Sequence, residues 1–213
     1  TKIYEIICNI LGTLYIQNIN SEKIVEIKDE GKSMISGGRY HQTKEGSSYH
    51  TDSPHWINVP DLVGLLCINQ AKKGGTSKFV SAYTIHNQLL KEQKDGLKAL
   101  YEKFYFDKRG EFKNNESQTV FEPIFVFKND KLSFRFIIDY IVAGHEIQKT
   151  PLTKLQETSL QSLKEISENE NNVLSYTLKT NDMTFFDNHR ILHGRTKFED
   201  YDDENRKRCF LRT

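Results

Sequence analysis

The chain has 213 residues, of which 37% are hydrophobic and 28% charged, and its formal net charge is +1. That length gives room for a real core, and the near-zero charge offers no electrostatic case for nucleic acid or an anionic membrane. No apolar run approaches the roughly 20 residues that a spanning helix needs.

Thr1-Lys2-Ile3-Tyr4-Glu5 has no signal-peptide character. The chain lacks an initiator methionine and stops at Leu211-Arg212-Thr213 inside an expected strand, which predicts a polypeptide trimmed at both ends. Cys8, Cys67 and Cys209 are odd in number, widely spaced and without a CxxC pair. They predict reduced thiols in a cytoplasmic setting rather than a disulfide framework or a structural zinc site.

In chain order, residues 1–30 alternate apolar and polar positions in places and predict short strands or a strand–helix pair. Gly31 to Ser48, rich in Gly, Ser and Lys, predicts a loop that leads into a histidine motif and is well placed to close over a site. Leu62–Ile68 is a continuous apolar run and predicts a buried strand, with a turn at Gly74-Gly75 and a return strand over Ser77–Ala82. Helical spacing of Ile85, Leu89, Leu90, Leu97 and Leu100 predicts a helix from Ala82 to Phe104, broken near Gly96. Phe121–Phe127 and Leu132–Ile138 flank Asn129-Asp130, a hairpin signal. Pro151 predicts the first turn of a second helix, with Leu155, Leu160, Leu163 and Ile166 on one face. After the polar connector Glu168–Asn172, strands are expected over Val173–Leu178, Met183–Asp187 and Cys209–Leu211. Many short strands with helical insertions near 83–105 and 151–168 predict a single domain over 1–213. It is mainly β with peripheral helices, a double-sheet jelly roll (double-stranded β-helix).

His50-Thr51-Asp52 is the sharpest chemical signal. Residues two apart on a strand share a face, so an imidazole and a carboxylate can address one metal, and His193 can close the set. Two histidines and one carboxylate bind Fe(II) on one face and leave the opposite face open. The same three residues would also serve a zinc hydrolase, and an HxD pair also arises as a surface His beside a turn Asp.

Further residues surround this set. Thr76 follows Gly74-Gly75; Arg208 follows His193 by 15 positions, and Arg212 lies four beyond. The segments YHTDSPHW, LVGLLCINQAKKGGTSKFVSA, DYIVAGHE and DNHRILHGRTKFEDYDDENRKRCFLR together resemble the TauD/TfdA family of Fe(II)- and 2-oxoglutarate-dependent dioxygenases, in the clavaminate-synthase-like group, over residues 37–213. The resemblance implies His50, Asp52 and His193 as metal ligands and catalytic residues. It implies Thr76 and Arg208 as partners of the 2-oxoglutarate carboxylate, with Arg206 as the alternate to Arg208. A guanidinium suits that task because it grips a carboxylate in two places. The implied cofactors are Fe(II), 2-oxoglutarate as co-substrate, and O2. The implied reaction hydroxylates a small molecule and releases succinate and CO2; an amino-acid-like metabolite of secondary metabolism is the first expectation. Desaturation, epimerisation or cyclisation share the same residues, and a non-catalytic cupin-like binding protein is a further alternative. Related halogenases carry a small residue in place of the carboxylate, so Asp52 argues against halide transfer.

Arg212, His55 and Trp56 are expected near substrate. Arg195 is expected to anchor its loop by a salt bridge, and His189 to be structural or to sit behind the ligands. Arg135 and Tyr140–Gly144 are open to a substrate role. His41, His86 and His145 are expected at the surface or in local hydrogen bonds. Arg206 and Lys207 read as a basic turn answering the acidic run Glu199–Glu204.

Overall fold

The computed structural model describes residues 1–18, 20–32 and 40–213, without the side chain of His41. Residues 33–39 of the predicted Gly31–Ser48 loop therefore lie outside the described residues. Helix α1 (Lys2–Leu11) is followed by strand β1 (Val25–Ile27), and a 3-10 turn, Tyr40–Gln42, leads to β2 (Ser47–His50). Then come β3 (Leu62–Asn69), β4 (Lys73–Gly74), β5 (Ser77–Ser81), α2 (Ala82–Glu92) and α3 (Lys94–Tyr101). Next are β6 (Lys103–Asp107), β7 (Thr119–Pro123), β8 (Phe125–Lys128), β9 (Lys131–Phe134), α4 (Ile138–Ile147) and α5 (Lys154–Glu168). The chain closes with β10 (Val173–Tyr176), β11 (Met183–Asp187), β12 (Ile191–Arg195), β13 (Phe198–Glu199) and β14 (Cys209–Arg212).

Two antiparallel four-stranded sheets form the frame, in the orders β1-β14-β3-β11 and β10-β5-β12-β2. They face one another across a cavity to which β1, β3 and β14 contribute from one sheet and β2, β5 and β12 from the other. This is the expected jelly-roll arrangement, without a closed barrel among the described residues. The two-residue period of a strand sorts side chains between layers. On β5 and β12, Val80 and Leu192 point outward into a core built with Ile85, Leu89, Leu100 and Leu163 of the helices. Ser77, Phe79, His193 and Arg195 point inward to the cavity. On β14, Phe210 and Arg212 face inward, whereas Leu211 packs outward with Leu66, Tyr4 and Cys8 under α1.

Several local expectations are corrected. Ile3–Cys8 is helical: Tyr4 and Cys8, four apart, form the buried stripe of α1, so the apparent alternation belongs to one amphipathic face. The break between α2 and α3 falls at Gln93, which leaves the helical conformation (φ −147°, ψ 63°), not at Gly96. Gly96 lies inside α3, where a Cβ would meet Ser159 Oγ of α5 at 3.1 Å, so its role is close helix approach. Pro151 precedes α5 rather than opening it; Thr153 is the N-cap, in a reciprocal capping box with Gln156. Leu155 is exposed, while Leu160 and Leu163 carry the buried face. Phe121–Phe127 divides into β7 and β8, which pair with β6 and β9 respectively. The Asn129-Asp130 hairpin forms with both residues at positive φ, 51° and 58°, as a two-residue turn of the primed type requires.

Candidate functional site

β2 and β12 are neighbours in one sheet, with His50 directly opposite His193. Their rings lie 4.3 Å apart between centroids. Asp52 follows the end of β2, and Nε2 of each histidine lies 3.8 Å from its Oδ1. One candidate ligand atom from each residue lies within 4.8 Å of the others. His50 Nδ1 donates to the Ser48 carbonyl at 2.8 Å, which leaves Nε2 as the bare nitrogen facing Asp52. Burial pushes both imidazoles down in pKa, His193 to about 3 with His50 adding to the effect, so both are neutral near pH 7. Two neutral nitrogens and a carboxylate oxygen, converging and nearly dry, could hold a divalent metal.

Asp52 is placed by a residue that sequence reasoning did not single out. Asn188, fully buried, accepts from the Asp52 N–H at 2.8 Å and donates to the Asp52 carbonyl at 3.0 Å and the Pro60 carbonyl at 3.0 Å. It sits in the turn between β11 and β12. The side chain therefore ties the backbone carrying the carboxylate to the strand carrying His193. Its local signal was only that of a turn residue. Tyr40 was also missed: its ring lies 5.2 Å from His50, and its hydroxyl bonds Ser48 and Asp139.

Beyond the triad, the cavity has a cationic end. Arg208 is 5% exposed, with its guanidinium over Phe210 at 4.1 Å and Phe198 at 5.1 Å. Its backbone N–H donates to Asp200. Among the described residues no carboxylate sits within salt-bridge distance of the guanidinium. Burial, then the nearby Arg195, pull Arg208 down to about 9, still cationic at neutral pH. Gly75, at φ +72°, leaves room for it: a Cβ there would meet Arg208 Nε at 3.3 Å. Arg195 donates to the carbonyls of Tyr40 and Thr43 and stacks on Phe198 at 4.6 Å. It thus anchors its loop through backbone carbonyls, and among the described residues the expected salt bridge is not formed.

Thr76 does not line this cavity. Its hydroxyl pairs with Thr177 at 2.9 Å, and the two-residue period turns Ser77 inward in its place. Arg206 lies in an exposed turn, stacked on Tyr201 at 3.9 Å, away from the cavity lining. Arg212 does line it: Nη1 reaches Asp52 at 3.4 Å and Nε donates to Gln17 at 2.9 Å. At the opposite end, His55 and Trp56 line the cavity and both bond Glu111 Oε2, at 3.1 and 2.7 Å. Arg135 donates to the Pro54 and Trp56 carbonyls, so it braces this loop. His189 bridges Ser133 and Asp61 and is structural. His86 bonds Tyr101, and buried His145 bonds the Thr150 carbonyl and the Tyr105 N–H.

Comparison with known proteins matches this architecture. The structure of asparagine oxygenase in complex with Fe(II), 2S,3S-3-hydroxyasparagine and succinate superposes with a TM-score of 0.69 at 15% identity, over 89% of this chain and 55% of that one. The non-heme iron oxygenase OrfP with Fe and alpha-ketoglutaric acid gives 0.64 at 12% identity, over 93% and 58%. The fold is thus that of clavaminate-synthase-like oxygenases. The family model "Taurine catabolism dioxygenase TauD, TfdA family" matches residues 5–213, and the chain belongs to that family. FR-33289 synthase of Streptomyces rubellomurinus is 31% identical over 196 residues, covering 91% of this chain and 56% of that protein. The Taurine hydroxylase-like protein SAT17 of Stachybotrys chartarum is 27% identical over 168 residues, covering 77% and 40%. The chain spans about half the length of these relatives.

Proposed function

We propose that this chain, acting as one catalytic domain over residues 1–213, is an Fe(II)- and 2-oxoglutarate-dependent dioxygenase that hydroxylates a small, amino-acid-like molecule. One observation carries the reading. A converging His50, Asp52 and His193 set lies beside a buried Arg208 that has no carboxylate partner among the described residues. A metal site alone would leave that charge unexplained, because a buried cation without a counter-ion is costly. A dicarboxylate that reaches the metal at one end and Arg208 at the other accounts for both.

His50 and His193 would hold Fe(II) through Nε2, and Asp52 through its carboxylate. Bound there with 2-oxoglutarate and O2, the metal supplies the oxidant for C–H hydroxylation, with succinate and CO2 released. Arg208 grips the far carboxylate in two places, and the Ser77 hydroxyl, inward on the same wall, takes over the part expected of Thr76. Phe198 and Phe210 keep water from that ion pair, which strengthens it. Asn188 fixes the Asp52 backbone, and Arg212 steadies the Asp52 carboxylate. Asp52 also occupies the position that a halide would need, which favours oxygen insertion.

His55, Trp56 and Arg212 lie on the substrate side. An amino-acid-like substrate is supported by the neighbouring structures, which hold 3-hydroxyasparagine in one case and (3S)-hydroxy-L-Arg in another. Nucleic acid and membrane are not among the partners in this reading. Among the described residues no helix is long and apolar enough to cross a membrane. Three free thiols suit a reducing, cytoplasm-like compartment.

The test is succinate formation from 2-oxoglutarate with Fe(II), O2 and a panel of L-amino acids. Wild type forms succinate together with a hydroxylated product. Asp52→Ala loses more than the roughly 10–100-fold typical of an outer-shell partner. Wild-type-like turnover in Asp52→Ala, or zinc-supported hydrolysis indifferent to 2-oxoglutarate, overturns the reading.

A further inference from the structure

The cavity beside the triad is small. Its volume is about 120 Å³, whereas sites that enclose a small molecule run to roughly 300–1,000 Å³. On the proposed function it must take a dicarboxylate and part of a second molecule. A second cavity of about 280 Å³ adjoins it, between α1, the segment 12–17, the loop 53–61 and β3. The two cavities share Gln17, Asp52, Ser53, Trp56 and Arg212 as walls. Between them stands the side-chain chain Asp52–Arg212–Gln17.

Away from that partition the walls of the second cavity are largely hydrocarbon. Leu11, Leu14, Val59, Leu62 and Phe185 line it, and Tyr15 packs 5.2 Å from Trp56. Thr13 and Asn58 also line it, and two further polar side chains are engaged elsewhere. Asp61 is 94% exposed and pairs with His189, and the Thr213 hydroxyl is taken by Tyr4 and Cys8. An apolar recess opening on a metal centre favours a ligand with a polar end and a hydrocarbon body, since each buried methylene adds to affinity.

We propose that this second cavity houses the apolar body of the primary substrate, with the polar end turned past Trp56 and Arg212 toward the metal. The substrate class is then an amphipathic amino-acid-like molecule bearing an alkyl or aryl chain, not a compact polar amino acid. This inference rests on the proposed function for its metal and co-substrate.

The experiment uses the whole chain loaded anaerobically with Fe(II) and 2-oxoglutarate. Straight-chain L-2-amino acids from alanine to 2-aminooctanoate are titrated by calorimetry, and the visible absorption is recorded on the same samples. Affinity should rise about fourfold per methylene until the recess is full. Leu14→Trp, or Val59→Phe should Leu14→Trp fail to fold, should flatten that rise by tenfold or more for the longest member. Alanine and 2-oxoglutarate binding should stay unchanged. Affinity flat with length, no binding at any length, or a rise untouched by either variant overturns the chamber. Failure of the metal-to-2-oxoglutarate absorption band to form is a separate outcome. It overturns the co-substrate reading, while the calorimetric series still decides the chamber.

Discussion

At one end of the metal-facing cavity, Arg208 and Arg195 bring two guanidiniums onto the ring of Phe198 with no carboxylate in salt-bridge distance among the described residues. At the other end, Glu111 already accepts from Trp56 and pairs with His55, and the loop that carries them is braced by Arg135. The first end draws on β12 and β14 and keeps a buried charge without a carboxylate partner among the described residues. The second is built on loops in which Glu111 already takes the Trp56 N–H and His55 Nε2. An end with an unmatched charge selects a ligand by charge and geometry; an end with its polar groups engaged selects by shape. In the proposed function, a fixed dicarboxylate co-substrate and a variable substrate would divide the cavity in that way.

The strongest way to disturb this division is at Arg208. Arg208→Ala removes both arms of a charge-assisted pair and should raise the 2-oxoglutarate concentration needed for half-maximal turnover by about 100-fold (~3 kcal/mol). Arg206→Ala should leave it unchanged. Steady-state kinetics with 2-oxoglutarate as the varied component decides between them, and the reverse ranking moves the anion site to the exposed turn.

Next in size is Asn188→Ala, which frees the Asp52 backbone from β12. Fe(II) affinity should fall roughly 10–100-fold, as for other residues that orient a ligand from behind. Anaerobic Fe(II) titration reads this directly, and an unchanged affinity would remove Asn188 from the machinery. A smaller effect separates neighbours on one strand. Ser77→Ala should weaken 2-oxoglutarate binding by about tenfold, the low end for the loss of one hydrogen bond to a charged group, and Thr76→Ala by little. Equal effects would mean that both sides of β5 serve the site.

The metal-free protein gives the gentlest test. His193 titrates at about 3 when folded, against an ordinary 6.5. Between those values the unfolded chain binds the extra proton and the folded one does not. Stability is therefore lost as pH falls from about 6.5 toward 3. The urea midpoint without metal should be lower at pH 5 than at pH 7, and a flat profile would contradict neutral, buried imidazoles.

Much of this was legible in the sequence because it depends on period and spacing. Leu62–Ile68, Met183–Asp187 and Cys209–Leu211 carry enough apolar character to be recognised as strands. His50, Asp52 and His193 stand out because few other residue sets offer two nitrogens and a carboxylate. What the sequence does not carry turns on facing and local chemistry. Thr76 and Ser77 are chemically alike, and only the phase of β5, set by pairing with β12, decides which one faces inward. Gly96 has the composition of a helix breaker, yet it serves close packing against α5. Asn188 does its work across 136 positions of sequence, through backbone atoms of Asp52, and no local pattern announces such a contact.

The most direct measurement is an anaerobic titration of the intact protein with Fe(II) and then 2-oxoglutarate, followed by visible absorption. Wild type should show a metal-to-2-oxoglutarate charge-transfer band that saturates at one equivalent of each, and Arg208→Ala should require far more 2-oxoglutarate. A folded, Fe(II)-binding protein that shows no such band, or a band indifferent to Arg208, would contradict the proposed function.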